Sequence, residues 1–283
     1  MKKQSIILLA AIAVIYSFSV LLTSSCTKPH KVSSRADSGA IWFHIHTRMI
    51  DSTIGGNTGG ADSNTAGPGA SPWNFDAIGR RIELFVPQFF ISGIVLVNAT
   101  GTTYSLNNVV LLKGLDSEDY YCCKVPVGTY TSASFTVGLG SAQNGLPPTT
   151  QFVNDSVPYP FQSSMWMGST TLGYYGIILK GAYDTTLSHT GISPVPFTFK
   201  IPNSITATTG NRVVLPTRGT GVYSSYPIYI VTAGSTQYIH LYADYSRFLA
   251  SINNLTTNNN TDTNPALADS FATQISGMFS YEQ

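Results

Sequence analysis

Charge is scarce in this sequence. Lysine, arginine, aspartate and glutamate make up 10% of its 283 residues, against roughly 25% in typical soluble domains. The net charge is +1, which leaves no electrostatic case for nucleic acid or for an anionic membrane surface. The sequence has no G-x-S-x-G elbow, no H-E-x-x-H helix and no glycine loop opening a helix to cradle phosphate. Its acids are sparse, and one cluster stands out: Asp116, Glu118 and Asp119 in "GLDSEDYY". Three acids are too few for a calcium loop, and the cluster reads as a solvated turn. Enzyme chemistry therefore has no positive support, and the chain reads as a non-enzyme.

Cysteine is scarce too: Cys26, Cys122 and Cys123. One long apolar run exists, from Ile6 to Leu22, preceded by Lys2 and Lys3 and followed by "LLTSSC". Residues 1–25 thus read as a secretory signal of lipoprotein type, with Cys26 as the lipidated mature N-terminus and 26–39 as a polar tether. The expectation is a bacterial cell-envelope protein held to the membrane by its N-terminal lipid, at the outer membrane and facing the periplasm. Cys122 and Cys123 are neighbours, and strand neighbours point to opposite faces. That predicts one buried and one partly exposed thiol, with a strained vicinal disulfide or a soft-metal pair as alternatives.

Strand-forming residues are plentiful. Threonine, serine, asparagine, glycine and tyrosine carry the polarity, and runs rich in β-branched and aromatic residues recur between Gly, Pro and Asn turns. The first strand is expected near Ala40 to Ile50, followed by a glycine-rich loop from Asp51 to Ser71. "RIELFVPQFFISGIVLVN" is interrupted by Pro87, which predicts two strands or one bent strand. "KVPVGTYTSASFTVGLGS" alternates faces after a Pro-Val-Gly turn. A short C-terminal helix is expected in "NPALADSFATQISGMF", where Asn264 precedes Pro265 and Leu267, Phe271 and Ile275 recur at four-residue spacing. A last strand is expected near Met278 to Glu282. Many short strands, few helices and no repeat predict an all-β domain over 40–283, a β-sandwich of Greek-key or immunoglobulin-like type.

The candidate chemistry is in "IWFHIH", residues 41–46. On a strand, Trp42, His44 and His46 share one face and Ile41, Phe43 and Ile45 the other. Two histidines two residues apart, their Cα atoms about 6–7 Å apart, can converge on one metal ion. Completing donors could come from His240, His189, or Met165 and Met167 in "MWM". Imidazole and thioether together suit copper better than calcium or magnesium. The other open class is a metal-free surface-interaction or small-ligand-binding module on the same sandwich. It would use the glycine-rich loop, with Tyr120, Tyr121, Tyr174, Tyr175, Tyr223 and Tyr226 as stacking platforms.

Several ordered motifs resemble the MbnP-like family of periplasmic, copper-associated β-sandwich proteins. They are "AIWFHIH", then "FFISGIVLV" (Phe89 to Val97), then "VPVGTYTSASFTVGLG". Met165, Trp166, Gly173, Tyr174 and Gly181 follow, and "IHLYADYSRFL" precedes the closing helix. The resemblance covers about residues 40 to 282. It implies a copper ion held by histidines, with His44, His46 and the more distant His240 as ligands. It further implies a tryptophan oxidised to kynurenine by a di-haem peroxidase-like partner. In at least one relative that tryptophan stands two before a ligand histidine, the spacing of Trp42 and His44, so Trp42 becomes a ligand precursor or a shield. One departure is visible: where relatives often carry a histidine, "PFTFKI" has Phe199 and Lys200. The implied function is copper scavenging, storage or delivery.

Overall fold

The computed structural model describes residues 37–49, 52–53, 74–76, 80–115, 117–148, 163–185, 194–206, 211–218, 228–252, 255 and 257–282. The chain separates into two units, Met1–Ser33 and Ser34–Gln283, and every described residue belongs to the second. The expected signal segment, Cys26, most of the glycine-rich loop, Asp116, His189, Tyr223 and Tyr226 lie outside the described residues. Among the described residues, no helix is long and apolar enough to cross a membrane.

Among the described residues, fourteen strands form two sheets. They are β1 (Ser38–Met49), β2 (Ser52–Thr53), β3 (Asn74–Phe75), β4 (Arg81–Asn98), β5 (Thr103–Leu106), β6 (Val110–Lys113) and β7 (Asp119–Pro126). Then come β8 (Gly128–Val137), β9 (Tyr175–Asp184), β10 (Pro194–Pro202), β11 (Arg212–Val214), β12 (Tyr229–Val231), β13 (Thr236–Asp244) and β14 (Phe279–Tyr281). The smaller sheet runs β14-β13-β1-β2, with β7 also pairing β1. The larger runs β10-β9-β4-β8-β11, with β3, β5 and β6 added along β4 and β12 along β8. The fold is an all-β sandwich.

"RIELFVPQFFISGIVLVN" is one 18-residue strand. Its first half pairs with β9 and its second with β8, and the register shifts between Leu84 and Val86 and between Ser92 and Val95. Pro87 is accommodated beside the first shift. Gly93, at φ +54°, takes the left-handed conformation that the second irregularity requires.

The core lies between the sheets. Ile41, Phe43 and Ile45 are at most 1% exposed, as their alternation predicts. Aromatic rings bridge the two sheets edge-on: Phe43 meets Phe135 at 5.6 Å, Phe135 meets Phe279 at 5.2 Å, and Phe279 meets Phe89 at 5.4 Å between centroids. Such contacts add about 0.5–1.5 kcal/mol each beyond the area they bury. Helix Ala266–Ala272 follows Pro265 and buries Leu267 and Phe271. Phe271 stacks on Phe248 at 4.4 Å, which fastens the chain's end to the sandwich.

The two adjacent cysteines depart from the expectation. Both are 1% exposed. Ile41 pairs with Cys123 and Trp42 with Tyr121, so Cys122 is the extra residue of a β-bulge. A bulge breaks the strict alternation of faces and lets both side chains enter the core. Both thiols are free, with their sulfurs 3.2 Å apart. Burial, and then the neighbouring Cys123, push the Cys122 thiol well above its ordinary range, so its reactive thiolate is disfavoured. In reduced, folded protein a maleimide at neutral pH is expected to label neither Cys122 nor Cys123, and both after denaturation. Labelling of the folded protein, read by mass spectrometry, would contradict this burial.

Candidate metal centre

The outer face of β1 is flanked on both sides by strands whose register sets what stands beside each histidine. Parallel pairing with β13 puts Trp42 beside Tyr238, His44 beside His240 and His46 beside Tyr242. Antiparallel pairing with β7 puts Trp42 beside Tyr121 and His44 beside Asp119. Beyond β13, the Glu282 N–H donates to the His240 carbonyl at 3.2 Å. One row therefore crosses four adjacent segments: Asp119, His44, His240, Glu282. Cross-strand neighbours of this kind have Cβ atoms about 4.5–5.5 Å apart, within reach of one another's side chains.

Each histidine in the cluster has a carboxylate at its Nδ1. His44 Nδ1 is 2.6 Å from Asp119 Oδ1, His46 Nδ1 is 2.9 Å from Glu118 Oε1, and His240 Nδ1 is 2.9 Å from Glu282 Oε2. An ionised carboxylate only accepts hydrogen bonds, so a neutral imidazole at His44 or His240 keeps its proton on Nδ1 and presents Nε2 as a lone pair, whereas His46 has a carboxylate at each ring nitrogen, the nearer at Nδ1. The Nε2 atoms of His44 and His46 face each other at 3.1 Å. Glu282 Oε1 lies 3.2 Å from His46 Nε2. Acceptors this close repel unless a proton or a metal ion lies among them. Bonds of about 2.0 Å to two nitrogens 3.1 Å apart subtend about 100°, between square-planar and tetrahedral. The donor atoms form two overlapping groups, His44–His240–Glu282 and His44–His46–Glu118, each within 4.8 Å. Carboxylates on the far ring nitrogen are the usual outer support of metal-bound histidine.

The structure thus brings together His44, His46 and His240, with Trp42 on the flank. Trp42 meets Tyr121 edge-on at 5.7 Å and Tyr238 at 6.2 Å. The methionines stand elsewhere. Met165 is fully buried in a separate apolar cluster with Phe90 and Tyr174. Met167 lines a cavity of about 150 Å³ together with Tyr175, Lys200 and Asp262. Lys200 lies on β10, in the other sheet, and its ammonium pairs with Asp262 at 2.8 Å. Tyr120 and Tyr174 are at most 1% exposed and offer no stacking platform.

Sequence reasoning assigned no role to Glu118, Asp119 or Glu282. The "GLDSEDYY" turn is only partly solvated: Glu118 is 7% exposed because its carbonyl accepts from Ile45 N at 2.8 Å, which ties it against β1. Tyr120 clamps the turn from inside. Its hydroxyl donates to the Ser117 carbonyl at 2.5 Å and accepts from Lys113 N at 3.1 Å. Gly114 sits so close to Thr47 that an added Cβ would collide with its hydroxyl, and Thr47 Oγ1 donates to the Gly114 carbonyl at 2.9 Å. The signal that could have revealed this support is the adjacency of "SED" to "YYCC", which begins a strand just after the acids.

Fold and site define a class: a β-sandwich carrying a carboxylate-backed histidine cluster on the outer face of its smaller sheet. The family model MbnP matches residues 75–267, and the chain belongs to the MbnP family. Glu118, Asp119 and His240 fall inside that span, and Trp42, His44, His46 and Glu282 outside it. Among solved structures, MbnP from Methylosinus trichosporium is similar, with 13% identity and a TM-score of 0.39. That match covers 64% of this chain and 71% of that one. No curated protein matches the chain.

Tyr120→Phe is expected to lower stability by about 1 kcal/mol, since it leaves a half-buried carbonyl and N–H without this partner. Chemical denaturation measures this, and an unchanged midpoint would remove the clamp from the account of the site.

Proposed function

We propose that this protein binds a copper ion through Nε2 of His44 and His46, with His240 as a third donor, and serves copper scavenging, storage or delivery rather than catalysis. The observation that carries this reading is the 3.1 Å approach of the two Nε2 atoms while both Nδ1 atoms are held by carboxylates. Imidazole donors with open metal geometry suit copper, and membership of the MbnP family agrees. In this reading Asp119 and Glu118 hold the rings in the ligating tautomer, and Trp42 shields the flank. The lipid on Cys26 would hold the protein in the bacterial envelope, facing the periplasm. A di-haem peroxidase-like partner is the proposed oxidant of Trp42.

The test is titration of the full-length chain in detergent with copper in both oxidation states, against His44→Ala/His46→Ala. The double variant is expected to lose the tight site. Equal affinity in the two proteins would end the copper reading. Glu118→Gln, which touches no proposed ligand atom, is expected to weaken binding by about 10–100-fold through His46 alone, and an unchanged affinity would show that Glu118 does not support the ligand.

A further inference from the structure

Glu282 reaches two histidines of the cluster with different oxygens: Oε1 lies 3.2 Å from His46 Nε2, and Oε2 lies 2.9 Å from His240 Nδ1. His46 Nε2 is also the atom that faces His44 Nε2. His44, His240 and Glu282 each offer a donor atom within 4.8 Å of the others. The carboxylate therefore reaches the histidine pair as well as His240 and does more than fasten one ring.

We propose that Glu282 joins the site as an anionic oxygen ligand and makes it select copper(II) over copper(I). The inference rests on the copper reading above and specifies which form of the ion the site takes.

Two physical arguments carry it. The first is donor softness. Copper(I) is held best by thiolate and thioether, whereas imidazole and carboxylate suit copper(II). Among the described residues the soft donors are directed elsewhere: Met165 is in its own buried cluster, Met167 lines the cavity beside Lys200, and Met49, Met278 and both thiols are buried in the core. The second is charge. Glu118, Asp119 and Glu282 place three carboxylates against the three histidines. A doubly charged ion gains more from that field than a singly charged one, and the gain is larger where the ligands are half-buried.

Position explains how the last residues of the chain come to do this. Phe279 and Tyr281 are buried at 9% and 4% exposure, and the Tyr281 hydroxyl donates to the Pro216 carbonyl at 2.9 Å. Alternation along β14 then turns the next residue, Glu282, to the outer face where the histidines stand.

The test uses the full-length chain in detergent and compares wild type, Glu282→Gln and Glu282→Asp. Copper(I) and copper(II) are each buffered by a competing chelator, and circular dichroism checks each fold. Glu282→Gln is expected to weaken copper(II) by about 10-fold or more and copper(I) by less than about threefold, and to change the copper(II) electron paramagnetic resonance spectrum. Glu282→Asp, which keeps the anionic oxygen, is expected to retain more of the copper(II) affinity than Glu282→Gln. Equal losses for both ions would reduce Glu282 to a positioning residue for His240 and overturn the proposal. So would an unchanged copper(II) spectrum. If His44→Ala/His46→Ala loses copper while Glu282→Gln does not, only the assignment of Glu282 fails. If the double variant keeps its copper, the underlying reading fails as well.

Discussion

Parallel pairing of β1 with β13 sets His44 beside His240, although the two strands come from opposite ends of the domain. The site depends on that register. A one-residue slip would place Ile239 or Leu241 beside His44 and turn His240 to the core face, which is closed by Phe43, Ile45 and Leu241. The apolar face resists such a one-residue slip because it would bury a histidine and expose a leucine. The polar face inherits its geometry from that choice. The same reasoning applies on the other side, where buried Tyr120 opposite Phe43 brings Asp119 opposite His44.

The scarcity of charge gives the cluster its meaning. Fourteen acids and five histidines are spread over 283 residues, yet three of each meet on one patch of sheet. In a chain whose surface is otherwise hydroxyl-rich, such a gathering is not the background of a charged exterior. Carboxylates at the Nδ1 atoms of all three histidines orient the imidazoles. The 3.1 Å approach of the two Nε2 atoms requires a proton or a metal ion between them, and the second of these is the basis of the copper proposal.

Much of the fold is legible in the sequence because its signals are local. Alternation in "IWFHIH" places Trp42, His44 and His46 on one face, and Asn264-Pro265 marks the start of the closing helix. The rest is set by pairing between distant segments. Glu118 and Asp119 read as a solvated turn because nothing nearby in the chain says that β1 will lie against them. Glu282 has no local signal at all. Met165 and Met167 look like copper donors by type, but the segment that carries them packs against the other sheet. Cys122 and Cys123 are both buried because of a bulge, and a bulge is visible only once the partner strand is known.

The proposed ligands differ in how firmly they are held, and this bears on how an ion would enter. His44 and His46 stand on a 12-residue strand paired on both sides. Their carboxylate supports are tied down by Tyr120 and by the Glu118 carbonyl. Glu282 follows a strand of three residues and is joined to β13 by one backbone hydrogen bond at 3.2 Å. A rigid pair of nitrogens offers a geometry fixed before the ion arrives, which lowers the ordering cost of binding. A carboxylate that follows so short a strand is held less firmly than the histidine pair. If Glu282 sets the proposed selectivity, that property can change while the sandwich and its histidine pair stay as they are.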